Sequence, residues 1–128
     1  MKIPFLIILL TCYLNPFAQS KIKVDSIFKI KARLLEVAPF PPDCGILSFA
    51  IAQKFEVLSK GVLPKHNRYI LVVQQCPELM GNNFFLPNKA YEITLSSKSD
   101  GTPEGSYRNY YKKDKLQKFW TIQITKID

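Results

Sequence analysis

Apolar and polar residues alternate with period two along much of this chain, and this alternation constrains its fold more than any other feature. It is clearest in the segment 27–37, where apolar side chains share one face at Phe28, Ile30, Ala32 and Leu34. Lysine and arginine occupy positions between them, as expected for a strand with one buried and one solvated face. The alternation slips at Leu34–Leu35, which predicts a bulge or a sharp bend.

Four further segments carry strand signals, so five strands are predicted in all. The four segments are 46–61, 68–76, 90–97 and 119–127. The segment 68–76 is β-branched and almost continuously apolar, which predicts a strand covered on both faces. In the last segment, the alternation predicts that Trp120 anchors the core, on the same face as Ile122 and Ile124.

Segments that contain proline, glycine or polar residues separate these strands. Three prolines between Ala38 and Gly45 prevent that segment from continuing a strand ladder. After the third strand, Pro77 can open one helical turn, because its missing N–H is harmless there, and Gly81 can end that turn. The pattern predicts an all-β chain with a short helical or irregular insert between strands three and four.

The N-terminus predicts export. Lys2 precedes an apolar stretch from Ile3 to Leu14, and small residues at Ala18 and Ser20 fit a cleavage site after Ser20. We therefore expect a secretory signal peptide at 1–20 and a single β-barrel domain at 21–128, periplasmic or secreted, with no transmembrane segment after cleavage. An alternative is a lipoprotein signal with Cys12 as the acylated residue, which would anchor the domain.

Cysteine and charge content agree with export. Loss of the signal peptide leaves Cys44 and Cys76, an even pair that predicts a disulfide in an oxidising compartment.

The chain is basic. It carries 18 basic and 10 acidic residues, a net charge of +8, of which +7 remains without Lys2. Such basicity favours anionic partners, although it also serves solubility alone.

Five strands with an insert after the third resemble the OB-fold, a five-stranded Greek-key barrel. More loosely, the segments 69–76 and 84–95, with the bent first strand Phe28–Val37 and the long second strand Leu47–Leu58, are similar to netrin-like modules typified by metalloproteinase inhibitors. Those inhibitors begin with a zinc-chelating cysteine, whereas this mature chain would begin at Lys21. The resemblance therefore implies the fold and not the inhibitory activity. An immunoglobulin-like sandwich is the alternative fold, but it normally has about seven strands.

Aromatic and basic residues are interleaved between Ser106 and Trp120. In OB-folds, the loops after strands one and four flank the ligand-binding face, and here these loops are 38–45 and 97–118. Aromatic rings stack on sugars or bases, and lysine or arginine neutralises anions. The predicted ligand-binding residues are Phe40, Tyr107, Arg108, Tyr110, Tyr111, Lys112 and Lys113. A solvated loop whose tyrosines pack on the barrel is the alternative interpretation.

The sequence favours binding over catalysis. The one histidine, His66, lies in a turn with no acid or nucleophile indicated nearby, so no catalytic residue, metal or cofactor is predicted. We expect a non-enzymatic exported module for an anionic glycan, a lipid headgroup or an acidic protein surface. Export argues against nucleic acid as the partner. The alternative is a small exported enzyme or inhibitor-like regulator with a site that the sequence does not reveal.

Overall fold

A computed structural model describes residues 26–39, 44–45, 48–64, 66–101 and 107–127. The predicted signal peptide, Cys12 and Phe40 lie outside these residues. Within the described ranges, no helix combines the length and the apolar character needed to cross a membrane.

Six strands and two 3₁₀ turns form the secondary structure of the described residues. The strands are β1 (Ile27–Leu34), β2 (Ala50–Val57), β3 (Tyr69–Gln75), β4 (Ala90–Ser96), β5 (Tyr107–Arg108) and β6 (Lys118–Ile127). The 3₁₀ turns are Pro77–Met80 and Lys112–Asp114. The first turn confirms the predicted helical insert after strand three. Gly81 ends it with a φ of 98°, a conformation that glycine adopts without steric cost.

Five of the strands close into a mixed barrel. β1 pairs with β4, β4 with β6, β6 with β3, β3 with β2, and β2 with β1. Only the pairing of β3 with β6 is parallel among these five. This connectivity confirms the predicted all-β, OB-like barrel. β5 is additional and pairs in parallel with β2, through Tyr107 opposite Ala50.

One apolar cluster fills the barrel interior, and all five barrel strands contribute to it. The predicted inward residues of β1, from Ile30 to Leu34, are confirmed as buried at alternate positions. Tyr91 of β4 fastens the segment between β3 and β4 to this cluster. Its hydroxyl donates a hydrogen bond to the carbonyl of Phe84 and accepts one from the Leu86 N–H, each at 2.8 Å. Phe84 and Phe85 thereby pack against the barrel core.

The prediction that Trp120 anchors the barrel core is wrong, because β6 contains a bulge. Thr94 lies opposite Gln123 and Leu95 opposite Thr121, so Ile122 has no partner on β4 and is 55% exposed. The extra residue reverses the alternation along β6. Phe119 therefore fills the interior, together with Ile124, and Trp120 packs in a separate cluster.

That separate cluster covers the outside of β2 and β3. Alternate residues of the two strands face outwards and form what we call the outer wall: Ala50, Ala52, Leu71 and Val73. Tyr111 is buried against this wall, and three partly buried side chains pack around it: Tyr107, Leu116 and Trp120. The prediction that strand three is covered on both faces is thus confirmed. The covering segment is the stretch that the sequence predicted to be a long loop.

Candidate functional site

Residues 107–117, which we call the strap, lie across the outer wall of the barrel. The strap begins with β5 and contains the 3₁₀ turn Lys112–Asp114. Its central side chain, Tyr111, is 9% exposed and packs in one cluster with the residues of the outer wall. The loop 97–118 was predicted to flank the ligand-binding face. In the structure, its second half covers the outer face of β2 and β3.

Polar contacts hold the strap at several points. The Lys54 ammonium of β2 lies 2.7 Å from the Asp114 carboxylate and 5.9 Å from the centre of the Tyr111 ring. Within the strap, the Asn109 side-chain oxygen accepts a hydrogen bond from the Tyr111 N–H at 2.8 Å. At its end, the Gln117 side-chain oxygen accepts one from the Asn67 amide. These contacts define where the strap lies on the barrel.

The environment of Tyr111 raises the pKa of its hydroxyl to about 12. Burial is the largest cause, because the phenolate would lose hydration. The Glu36 carboxylate adds charge repulsion and accepts a hydrogen bond from the hydroxyl, and Asp114 adds further repulsion. Tyr111 is therefore a neutral hydrogen-bond donor at physiological pH.

Absorbance titration of tyrosinate should show Tyr111 ionising at about pH 12 in the folded protein. An unfolded tyrosine ionises near pH 10, so the folded state retains a proton that the unfolded state loses. The free energy of unfolding should therefore fall as pH rises from about 10 to about 12. Tyr111→Phe should remove the contribution of Tyr111 to this signal, whereas Tyr91, whose pKa is also raised by burial, still contributes. Glu36→Gln should move the Tyr111 contribution to lower pH. A signal unchanged by Tyr111→Phe would contradict its assignment to Tyr111, and one unchanged by Glu36→Gln would contradict the contact with Glu36.

The predicted binding residues divide into two groups in the structure. Tyr107 and Tyr111 pack on the outer wall. This agrees with the alternative interpretation of the loop, in which its tyrosines pack on the barrel. The others that the structure describes are exposed to solvent: Arg108, Tyr110, Lys112 and Lys113. Phe40 lies outside the described residues, so its predicted place at the ligand-binding face is untested.

A cleft of about 350 Å³ opens where the strap meets the barrel. Its apolar lining comes from Leu71 and Leu116, and its polar lining comes from Tyr107, Asn109, Tyr111, Lys112, Lys115 and Lys118. None of the described residues that line it is acidic. Lys112 is among the binding residues predicted from the sequence, whereas Asn109, Lys115 and Lys118 are not. The spacing of the three lysines, at every third residue, was the available signal.

Two of these lysines lie at the two ends of the 3₁₀ turn. Lys112 is the first residue of the turn, and Lys115 follows the turn in a left-handed conformation, with a φ of 50°. Both line the cleft. Lys118, on β6, lines the cleft as well, and its ammonium donates a hydrogen bond to the Tyr107 hydroxyl at 2.6 Å. Three cations thus border one small cleft.

The predicted disulfide is present between Cys44 and Cys76, with 5.6 Å between the two Cα atoms. Cys76 directly follows β3, so the bond attaches the connection between β1 and β2 to the end of that strand. The Glu78 carboxylate accepts a hydrogen bond from the Cys44 N–H at 2.5 Å. Potential metal-ligand atoms of these three residues lie within 4.8 Å of one another. However, the sulfurs are bonded to each other and offer no thiolate.

Comparison with protein-family models, with curated proteins and with solved structures finds no match to this chain. The similarity to netrin-like modules therefore stays a prediction from the sequence pattern. The candidate site rests on the geometry of the strap and on the cations around its cleft.

Proposed function

We propose that this chain is an exported, non-enzymatic OB-type module that binds an anionic or glycan-bearing ligand of the cell envelope. The observation that carries the proposal is the cleft beneath the strap, which three lysines line without an acidic residue among its described lining. Concentrated positive charge attracts anions. The cleft also lies beside the β2–β3 face that OB-folds use for ligands.

Further features support export and an envelope ligand. The disulfide fits an oxidising compartment, and the segment 1–20 has the composition of a signal peptide. In such a compartment, the abundant anions are acidic glycans and lipid headgroups, and nucleic acid is scarce. Arg108 and Lys113, exposed on the strap, would add long-range attraction for an extended polyanion.

Retention on heparin tests the proposal. The variant is Lys112→Met/Lys115→Met, which removes two cleft charges and keeps the apolar stems. We expect it to elute at a salt concentration lower by about 0.1 M, because attraction between exposed charges is screened by salt. Tyr111 is left intact because it is buried, and its loss would disturb the strap itself.

The matched control is Lys31→Met/Lys60→Met, which removes the same charge from exposed lysines outside the cleft. It should elute close to the wild-type protein, and both variants should keep the wild-type melting temperature. Equal loss of retention in the two variants would mean that net charge, and not the cleft, governs binding.

The alternative of a small exported enzyme or inhibitor-like regulator stays a prediction. Catalysis by proton transfer would require an acid–base pair within reach of a bound substrate. Among the described residues, the cleft lining offers lysine and tyrosine but no carboxylate or histidine. The geometry therefore favours binding as the proposed activity.

A further inference from the structure

We propose that Cys44, Cys76 and Glu78 form a redox-gated site for Zn²⁺, in which the disulfide is the oxidised form and reduction creates two thiolate ligands. The inference goes beyond the proposed function and is independent of the cleft beneath the strap. It follows from the placement of three ligand atoms, from the contacts that orient them, and from backbone contacts that hold the cysteines together without the S–S bond.

The three residues bring two sulfurs and one carboxylate oxygen together from two parts of the chain. These atoms lie within 4.8 Å of one another, although Cys44 precedes β2, whereas Cys76 and Glu78 follow β3. Zn²⁺ binds thiolate sulfur at about 2.3 Å and carboxylate oxygen at about 2.0–2.2 Å, so the ligand atoms of one tetrahedral ion lie roughly 3.5–3.8 Å apart. Once the S–S bond is broken, small side-chain rotations can bring the three atoms to this spacing.

The Glu78 carboxylate is oriented as a metal ligand would be. Its Oε1 accepts a hydrogen bond from the Cys44 N–H at 2.5 Å, whereas its Oε2 is buried and has no hydrogen-bond partner among the described residues. The segments 40–43 and 46–47, on either side of Cys44 in the sequence, contain no lysine or arginine. A buried carboxylate oxygen without a partner is unfavourable, because it loses hydration. A bound cation would satisfy Oε2 while the Cys44 N–H holds Oε1, and such outer contacts orient the carboxylate ligands of metal sites.

Backbone contacts hold the two cysteines together independently of the S–S bond. The Phe49 N–H donates a hydrogen bond to the Cys44 sulfur at 3.2 Å, and the Phe49 carbonyl accepts one from the Cys76 N–H at 2.8 Å. Phe49 thus bridges both cysteines directly before the paired part of β2 and β3, which begins with Ala50 opposite Gln75. A hydrogen bond from N–H to sulfur also stabilises the charge of a thiolate. The pair should therefore stay together as thiolates after reduction.

The site therefore has two forms that interconvert by thiol–disulfide exchange. A dithiol reductant cleaves the S–S bond and is itself oxidised to a disulfide, and its two electrons and two protons leave thiols on Cys44 and Cys76. Zn²⁺ then displaces both thiol protons to solvent and binds the two thiolates and the Glu78 carboxylate. Water completes the four ligands, as in zinc sites with three protein ligands. Exchange with an oxidised dithiol reverses these steps and releases the ion.

Calorimetric titration of Zn²⁺ into oxidised protein, and into protein reduced with dithiothreitol and then freed of it without air, tests the inference. The reduced protein should bind one ion per chain and release about two protons, which make the binding heat depend on the buffer. The oxidised protein should show no such binding. Glu78→Gln should weaken binding to the reduced protein at least about tenfold. Zn²⁺ should also raise the urea midpoint of the reduced protein alone, because it binds only that folded form.

Glu92→Gln is the matched control, because Glu92 is a carboxylate of β4 that pairs with Lys29 outside the site, and it should bind Zn²⁺ like the wild type. Equal affinities of Glu78→Gln and Glu92→Gln, proton-releasing binding by the oxidised protein, or no binding by the reduced protein would overturn the inference. If reduction unfolds the chain, Zn²⁺ should restore the circular dichroism of the folded protein, and failure to restore it would overturn the inference as well. Heparin retention is measured on the oxidised protein, so the proposed function stands or falls separately.

Discussion

Replacing Phe119 by alanine should lower the free energy of unfolding by about 3–5 kcal/mol, the range for truncating a buried aromatic side chain. Phe119 is 0% exposed in the barrel interior, and its ring packs edge-to-face on Phe28 with 5.2 Å between centroids. It also lies on the strand that closes the barrel between β3 and β4. Denaturation by urea, followed by circular dichroism, would measure the loss.

Ile122→Ala is the matched control for Phe119→Ala. The simple alternation of the sequence places Ile122 in the core, whereas the bulge leaves it 55% exposed. Its truncation should therefore change stability by less than about 0.5 kcal/mol. If Ile122→Ala proved as damaging as Phe119→Ala, the register of β6 described here would be incorrect.

Removing the disulfide should have an effect of similar size. The two cysteines are 32 positions apart and enclose both β2 and β3. In the chain-entropy model, a loop of this length stabilises the fold by about 3–4 kcal/mol, because the bond restricts the unfolded chain. Cys44→Ala/Cys76→Ala should therefore unfold at a clearly lower urea concentration than the oxidised protein.

A reducing agent provides the control for the disulfide experiment. It should shift the unfolding midpoint of the wild-type protein towards that of the double variant and leave the variant itself unchanged. The intact mass of exported protein should be lower by two hydrogens than that of the reduced chain. Two free thiols in exported protein, or no effect of reduction on stability, would contradict the structural role of the bond.

The strands could be predicted from sequence because their signals are local. In β1, alternation from Phe28 to Leu34 survives in the structure because one face meets the barrel core and the other meets solvent. The turn after β3 was likewise predictable, because Pro77 and Gly81 restrict the backbone on their own. Such features depend on few residues beyond the segment that contains them.

The orientation of Trp120 could not be predicted in this way. The bulge at Ile122 arises where β6 pairs with β4, so its cause lies in a strand far away in sequence. A strict alternation counted back from Ile124 would place every residue before the bulge on the face opposite to the one that it occupies in the structure. Tertiary pairing thus overrides the local pattern.

The candidate site was only partly predictable for a related reason. The basic and aromatic composition of the strap is visible in the sequence, and it indicated Tyr107, Tyr111 and Lys112. Which side chains line a cleft depends on the packing of Tyr111 against the outer wall. That docking turns two tyrosines inwards and gathers the lysines beside them. The three-residue spacing of Lys112, Lys115 and Lys118 is visible in the sequence, but the spacing alone does not show that these lysines, and not Lys113, line a cleft.

Heparin retention of the two lysine double variants shows whether the cleft binds the ligand, because it compares two lysines of the cleft with two lysines elsewhere. We expect Lys112→Met/Lys115→Met to elute at clearly lower salt than Lys31→Met/Lys60→Met, at equal net charge and equal melting temperature. Coincident elution of the two variants would contradict the assignment of ligand binding to the cleft beneath the strap.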